Sequence, residues 1–302
     1  MKDIILLDGG LGQEVFHRAS QPAHPLWSAK VMMDQPQIVK EVHRDFIKAG
    51  AKIITVNNYT CTPTRLQRDG LPEWFEKLQK MALRVAQEAR DELGPQAANV
   101  QIAGCLPPLI GSYVDDSRSH EHLIEEYKQI AEIQAPEVDI FIIETISNTK
   151  EARAAAEVAL ETGKPVLLSF TLSDTQPSML RAGESLKDAL DAISAYSLSA
   201  LLFNCSYPET ISRGLDEIQH LEIPYGGYAN AFSSVEALKP GGTVDALNTR
   251  QDLDEKTIVK HAMDWIEKGA TIVGGCCEVG PSYIECLHNK LVNQGHRIIS
   301  LK

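Results

Sequence analysis

The sequence predicts an α/β fold, a (β/α)8 TIM barrel formed as a single domain over residues 1–302, and three observations lead there. Eight short runs of β-branched and other apolar residues lie at 4–7, 53–56, 100–105, 140–144, 166–171, 201–205, 225–229 and 271–273. Longer segments with apolar residues at helical spacing separate them, which is the alternation of strand and helix units expected of a parallel barrel. Polar or metal-binding side chains stand at the ends of the runs, and the C-terminal strand ends of such a barrel are where active sites are built.

The first run meets Asp8-Gly9-Gly10 and is followed by a stretch, 19–34, that reads as irregular. A helix is expected over 37–48, with Ile38, Val42, Phe46 and Ile47 on one side, and Gly50 follows it as a left-handed C-cap. The second run ends at Asn57-Asn58-Tyr59, and a second helix is expected over 74–90 with Leu78, Met81, Leu83 and Val85 mostly on one side. The third run ends at Gly104-Cys105, the fourth at Glu144-Thr145 and the fifth at Thr171. Gly163 and Gly269 repeat the cap signal ahead of the fifth and eighth runs. The sixth run ends at Asn204-Cys205, the seventh at Asn230 and the eighth at Gly274-Gly275-Cys276-Cys277. A second irregular stretch, 232–253, follows the seventh run, and neither repeat nor linker interrupts the chain.

Of the 302 residues, 43% are hydrophobic and 23% charged, which fits a globular chain able to bury a large core. The formal net charge of -12 and the lack of a basic stripe exclude nucleic acid and anionic membrane as expected partners. No run of about 18 apolar residues occurs, and the start of the chain lacks the basic and long apolar parts of a signal peptide. A cytoplasmic location is therefore expected. In a reducing compartment the six cysteines read as free thiols or metal ligands, not as a disulfide framework.

Cys276 and Cys277 are poorly placed to bond each other, but on a glycine turn both sulfurs can converge on one cation. Cys205, ending another apolar run, is the expected third ligand, with Cys61 and Cys105 as weaker replacements and Cys286 assigned to packing in a C-terminal helix. Three thiolates with a free fourth position are the pattern of a catalytic zinc site. The bland alternative is a set of small buried thiols, and the double glycine before the pair weighs against it. Asp8 and Glu144 end apolar strands at the edge of a low-dielectric core, where an ammonium group would offset their desolvation; isolated acids more often cap helices. Gly9, Gly10 and Gly12 lack the spacing of a dinucleotide or phosphate loop, so close backbone approach is expected there. Trp27, Tyr59, Tyr113 and Tyr228 are rim or core aromatics by default, although their faces also suit sulfonium and ammonium cations. The nine histidines show no His-Glu-x-x-His arrangement and read as surface or core residues.

Asp8-Gly9-Gly10, Leu26-Trp27-Ser28-Ala29-Lys30, Glu144-Thr145, Asn204-Cys205 and Gly274-Gly275-Cys276-Cys277, in that order and over nearly the whole chain, closely resemble the homocysteine S-methyltransferase family. The resemblance implies a zinc-dependent enzyme of methionine biosynthesis in which Cys205, Cys276 and Cys277 bind Zn2+. It further implies that Asp8 and Glu144 bind the amino group of homocysteine, with the Gly9–Gly10 backbone close by. Asn204, Trp27, Tyr59, Thr171 and Asn230 are expected to complete the substrate site. Thr145 stands where the betaine-using branch carries an aromatic residue, which argues against a betaine cage. Tyr228-Ala229-Asn230-Ala231-Phe232 keeps only the tyrosine and asparagine of the segment typical of S-methylmethionine enzymes. S-methylmethionine is the favoured donor, with S-adenosylmethionine as a second. Transfer to another thiol or selenol, a betaine-type donor, and a barrel that binds zinc or homocysteine without transfer stand as alternatives.

Overall fold

The computed structural model describes residues 1–301. In chain order its elements are β1 (Asp3–Leu6), α1 (Leu11–Arg18), α2 (Trp27–Asp34), α3 (Pro36–Lys48), β2 (Ile53–Thr55), α4 (Pro63–Arg68), α5 (Phe75–Asp91) and β3 (Gln101–Leu106). There follow α6 (His120–Gln134), β4 (Ile140–Ile146), α7 (Thr149–Glu161), β5 (Val166–Phe170), α8 (Leu186–Ile193), β6 (Ala200–Asn204) and α9 (Pro208–Ile218). The last are β7 (Tyr225–Ala229), α10 (Glu255–Glu267), β8 (Ile272–Gly275), α11 (Pro281–Asn293) and β9 (Arg297–Ile298).

Strands β2 to β8 pair in sequence, all parallel, and β8 pairs with β1. Lys52 N donates to Leu6 O at 2.7 Å and Asp8 N to Ile53 O at 3.0 Å, which closes the ring between β1 and β2. This is the eight-stranded barrel the apolar runs predict. Its strands are buried on both faces, as in β5 and β6 where every residue is buried, and so they read as continuous apolar runs without alternation.

Helix starts follow from local chemistry. Thr62, Ser119, Asn148, Ser185 and Asp254 each accept a backbone N–H of the first turn, which satisfies a donor the helix itself leaves free. Gly50, Gly163 and Gly269 take the positive φ expected of helix-ending caps, at 109°, 71° and 108°. Helix α3 turns Val39, Val42, Phe46 and Ile47 inward, and burying a side chain such as Phe46 contributes about 1.5–3 kcal/mol. His43 lies on that face with both ring nitrogens buried and unpartnered, so burial pushes its pKa down to about 3 and holds it neutral.

The structure corrects the sequence reading in three places. The stretch 19–34 is not wholly irregular: 27–34 is α2, which buries Ser28, Ala29, Val31 and Met32. Strand β4 runs two residues past Glu144, and its register against β5 shifts between Ile143 and Ile146. Thr145 takes φ +61° there, so Glu144 sits on a bulge. A two-residue β9 pairs with β1 outside the barrel, held by Arg297 and Asp3 at 2.6 Å, and nothing in its composition marks it as a strand. No described helix is long and apolar enough to cross a membrane.

Candidate metal and substrate site

Strands β6 and β8 flank β7, so residues just past their ends meet over one part of the barrel mouth. Cys205 follows β6 with φ +48°, a conformation that side chains other than glycine adopt only when their surroundings enforce it. Its amide donates to Tyr228 O at 3.3 Å, and its carbonyl accepts from Thr171 Oγ1 and Arg181 Nη2, both at 3.2 Å. Cys276 N donates to Ala229 O at 2.9 Å, and Cys277 O accepts from Ala231 N at 3.0 Å, which fixes the turn after β8 against the end of β7. Glu278 closes that turn at φ +66° and is gripped by Gln13 and His17 of α1.

The sulfurs of Cys205, Cys276 and Cys277 lie within 4.8 Å of one another, and among the described residues no other group of His, Cys, Asp or Glu forms such a cluster. Hydrogen bonds from Cys276 and Cys277 pull the Cys205 thiol well below its ordinary pKa, while the same contacts hold the other two well above theirs. The trio thus accommodates one negative charge by itself. A shared cation is what lets all three ionise, and sulfurs about 2.3 Å from a common ion fit inside this spacing. The site can hold a metal. Cys61 and Cys105 stand apart from it: burial drives Cys61 up to about 12, and Cys105 donates to Glu144 Oε1 at 3.2 Å.

Asp8 and Glu144 line the same cleft, as do Gly9, Gly10, Trp27 and Tyr59. Burial raises Glu144 to about 7, with the Cys105 thiol and the Tyr228 hydroxyl (3.3 Å) bonded to its carboxyl. Burial raises Asp8 to about 8 despite a 2.8 Å bond from Thr55 N, and the charge of Glu144 adds to the rise. Two buried carboxyls with raised pKa values in one cleft are a candidate receptor for a cation.

Gly9 and Gly10 are small for a structural reason as well: a Cβ would stand 2.1 Å from Val279 O at the first and 2.4 Å from Cys276 O at the second. The β1 loop therefore packs directly on the cysteine turn. Trp27, at φ +48°, donates its indole N–H to Gln13 at 2.9 Å and meets the Tyr59 ring edge-on at 6.3 Å. Of the six non-glycine residues with positive φ among the described residues, Trp27, Tyr113, Thr145 and Cys205 line this cleft, which marks it as the place where backbone strain is concentrated.

Asn204, Thr171 and Asn230, expected to reach substrate, are fully buried beneath the cleft. Asn204 Oδ1 accepts from Thr145 N (2.9 Å) and Ser169 Oγ (2.8 Å), while its Nδ2 donates to Thr145 Oγ1 at 2.9 Å and faces Cys276 Sγ at 4.0 Å. Thr171 supports Cys205, and Asn230 Oδ1 accepts from Phe232 N at 3.2 Å. Arg181 escaped the sequence reading. It ties Thr171, Asp174 and the Cys205 carbonyl together and lies 5.1 Å from the centre of the Tyr113 ring, yet no spacing singles it out in its loop.

Comparison with known proteins agrees with this geometry. The sequence profile described as Homocysteine S-methyltransferase matches residues 5–291. Homocysteine S-methyltransferase of Escherichia coli strain K12 is 30% identical over 304 residues, spanning 95% of this chain and 94% of its own. Selenocysteine Se-methyltransferase of Brassica oleracea var. italica is 26% identical, spanning 96% and 89%. The crystal structure of the homocysteine methyltransferase MmuM from Escherichia coli in its metallated form superposes with a TM-score of 0.78 at 27% identity, covering 96% of both chains. With its barrel, its cysteine cluster and a profile match that runs from β1 to α11, the chain belongs to the homocysteine S-methyltransferase family.

Proposed function

We propose that the protein transfers a methyl group from a sulfonium donor, S-methylmethionine in first place, to the sulfur of L-homocysteine, giving methionine, with zinc on Cys205, Cys276 and Cys277. The observation behind this reading is the single cleft that brings three clustered sulfurs, two buried carboxyls and an aromatic wall together. Three thiolates favour a soft ion, and zinc held by Cys205, Cys276 and Cys277 would supply Lewis acidity that makes an incoming thiol acidic.

The chain's own residues do the rest. Glu144 and Asp8 bind the ammonium group of homocysteine and thereby become fully ionised. Cys105 and Tyr228 aim the Glu144 carboxyl, and the bulge at Thr145 turns it toward the cleft. Asn204 ties that bulge to the Cys276 side of the cluster, so the amino-group site and the sulfur site keep a fixed separation. Trp27 and Tyr59 offer faces to a cationic donor and exclude water. Opposite charges on the sulfur nucleophile and the sulfonium cancel during transfer, so a dry cleft favours the transition state over the separated reactants. Holding donor and acceptor in line is worth up to about 7–11 kcal/mol where alignment is good. No histidine base is needed, because no proton moves in the transfer step.

The test is a donor panel with homocysteine as acceptor: S-methylmethionine, S-adenosylmethionine, glycine betaine and dimethylsulfonium compounds, with methionine measured as product. Methionine from sulfonium donors and none from betaine supports the reading. Homocysteine binding without methionine from any donor would make the protein a binding barrel. Selenocysteine belongs in the acceptor arm, since one relative is named for it.

A further inference from the structure

We propose that Arg65 anchors a carboxylate of the methyl donor, so that the protein accepts sulfonium zwitterions and discriminates against sulfonium cations without an acid group. This rests on the proposed function and narrows its donor class.

Helix α4 starts immediately beyond the end of β2, capped by Thr62, and this places Arg65 in the wall of the cleft. Arg65 is 4% exposed. Its Nε donates to Leu109 O at 3.3 Å and its Nη2 to Pro108 O at 2.7 Å, and the guanidinium carbon lies 5.2 Å from the centre of the Tyr59 ring. All three partners are neutral, and no carboxylate of the described residues is in ion-pair contact with Arg65, although the buried Glu151 attracts it electrostatically from beyond contact distance.

Arg118 and Arg181 are treated differently. Arg118 pairs with Asp116 at 2.6 Å and Glu126 at 2.7 Å, and Arg181 pairs with Asp174. A buried charge without a counter-charge in direct contact is costly, so a ligand anion arriving at Arg65 recovers part of that cost. With Nε and Nη2 already donating to backbone carbonyls, a carboxylate would take the guanidinium's remaining N–H groups.

The acids of the cleft, Asp8 and Glu144, are committed to the acceptor's ammonium, which leaves the Arg65 wall to the donor. Tyr59 links the two regions, since it touches Arg65 on one side and meets Trp27 edge-on at 6.3 Å on the other. A donor lying across Tyr59 puts its cationic sulfur against aromatic faces and its carboxylate against Arg65.

The ligand-side test needs no variant: S-methylmethionine against its carboxamide, and dimethylsulfoniopropionate against trimethylsulfonium. The wild-type protein is expected to favour the acid over its amide by roughly 10- to 100-fold in kcat/KM, the range for hydrogen bonds to charged groups. Arg65→Gln should erase that preference, Arg65→Lys should keep part of it, and the KM for homocysteine should stay unchanged in both. Equal use of acid and amide by the wild type overturns the proposal, as does an Arg65→Gln defect that is equal for both donors or falls on the homocysteine KM. Calorimetric titration of the same donors reads the acid-to-amide ratio without turnover. An intact ratio with no methionine formed would sink the functional reading alone, and a vanished ratio sinks the Arg65 assignment.

Discussion

Cys276→Ser removes one of three convergent sulfurs, and a hydroxyl is a much poorer ligand for a soft ion than a thiolate. Zinc measured by elemental analysis should fall from about one per chain to a small fraction of that, and methionine formation should be lost with it. Glu144→Gln should keep the zinc and raise the KM for homocysteine by roughly 10- to 100-fold, the cost of losing a charged hydrogen-bond partner. The two acids also set a pH dependence. Burial raises Glu144 to about 7 and Asp8 to about 8, so in the free protein both carry protons in the neutral range, and an ammonium ligand binds best once they are lost. Affinity for methionine, which has the ammonium group but no thiol, should therefore rise between about pH 6 and pH 8 in calorimetric titrations, with a weaker rise in Glu144→Gln. The sign for stability is opposite. The folded form holds protons that the unfolded chain has already released, so stability falls as pH climbs from about 4 to about 8. Glu144→Gln should consequently be more stable to denaturant than the wild type near pH 8, by on the order of 1–3 kcal/mol.

At the scale of elements, the site depends on how loops lean on one another. Gly10 has Cys276 O only 2.4 Å from where a Cβ would stand, so Gly10→Ala must push the β1 loop away from the cysteine turn. A weakened zinc affinity, read by competition with a chromogenic chelator, is the expected outcome, with the barrel's circular dichroism unchanged. Asn204→Ala releases the bulge of β4 and leaves Thr145 N without its acceptor, for an expected loss of about 1–3 kcal/mol in denaturant unfolding. Much of this architecture was legible in the sequence, for physical reasons. Strands buried on both faces stand out as apolar runs, and glycines after helices stand out as caps. Helix α2 was hidden because it begins at Trp27 in a left-handed conformation behind a proline-bearing loop, where no capping side chain announces a start. The bulge at Glu144 was hidden because its signature is a shift of register between strands, and Ile140–Ile146 gives no sign of it in composition. Asn204 and Thr171 were recognised as belonging to the site, but a strand end does not reveal whether its side chain meets ligand or braces a neighbour, and here both brace. Arg65 and Arg181 were missed because single arginines in loops and short helices carry no spacing signal.

For the whole molecule, β6 and β8 are joined through β7 by hydrogen bonds and, at their ends, by the sulfur cluster. A metal that binds only the folded chain adds to its stability by mass action. Chelation should therefore lower the melting temperature by several degrees, and Cys276→Ser should already sit at the lower value with no further response to chelator. The central claim is that three protein sulfurs hold one zinc ion and leave a place for the acceptor's sulfur. Zinc-edge X-ray absorption on the loaded protein, before and after adding homocysteine, tests it most directly. Three sulfur neighbours and one lighter atom are expected before addition, and four sulfurs after it; fewer than three at the start, or an unchanged spectrum with homocysteine bound, would rule out this metal site.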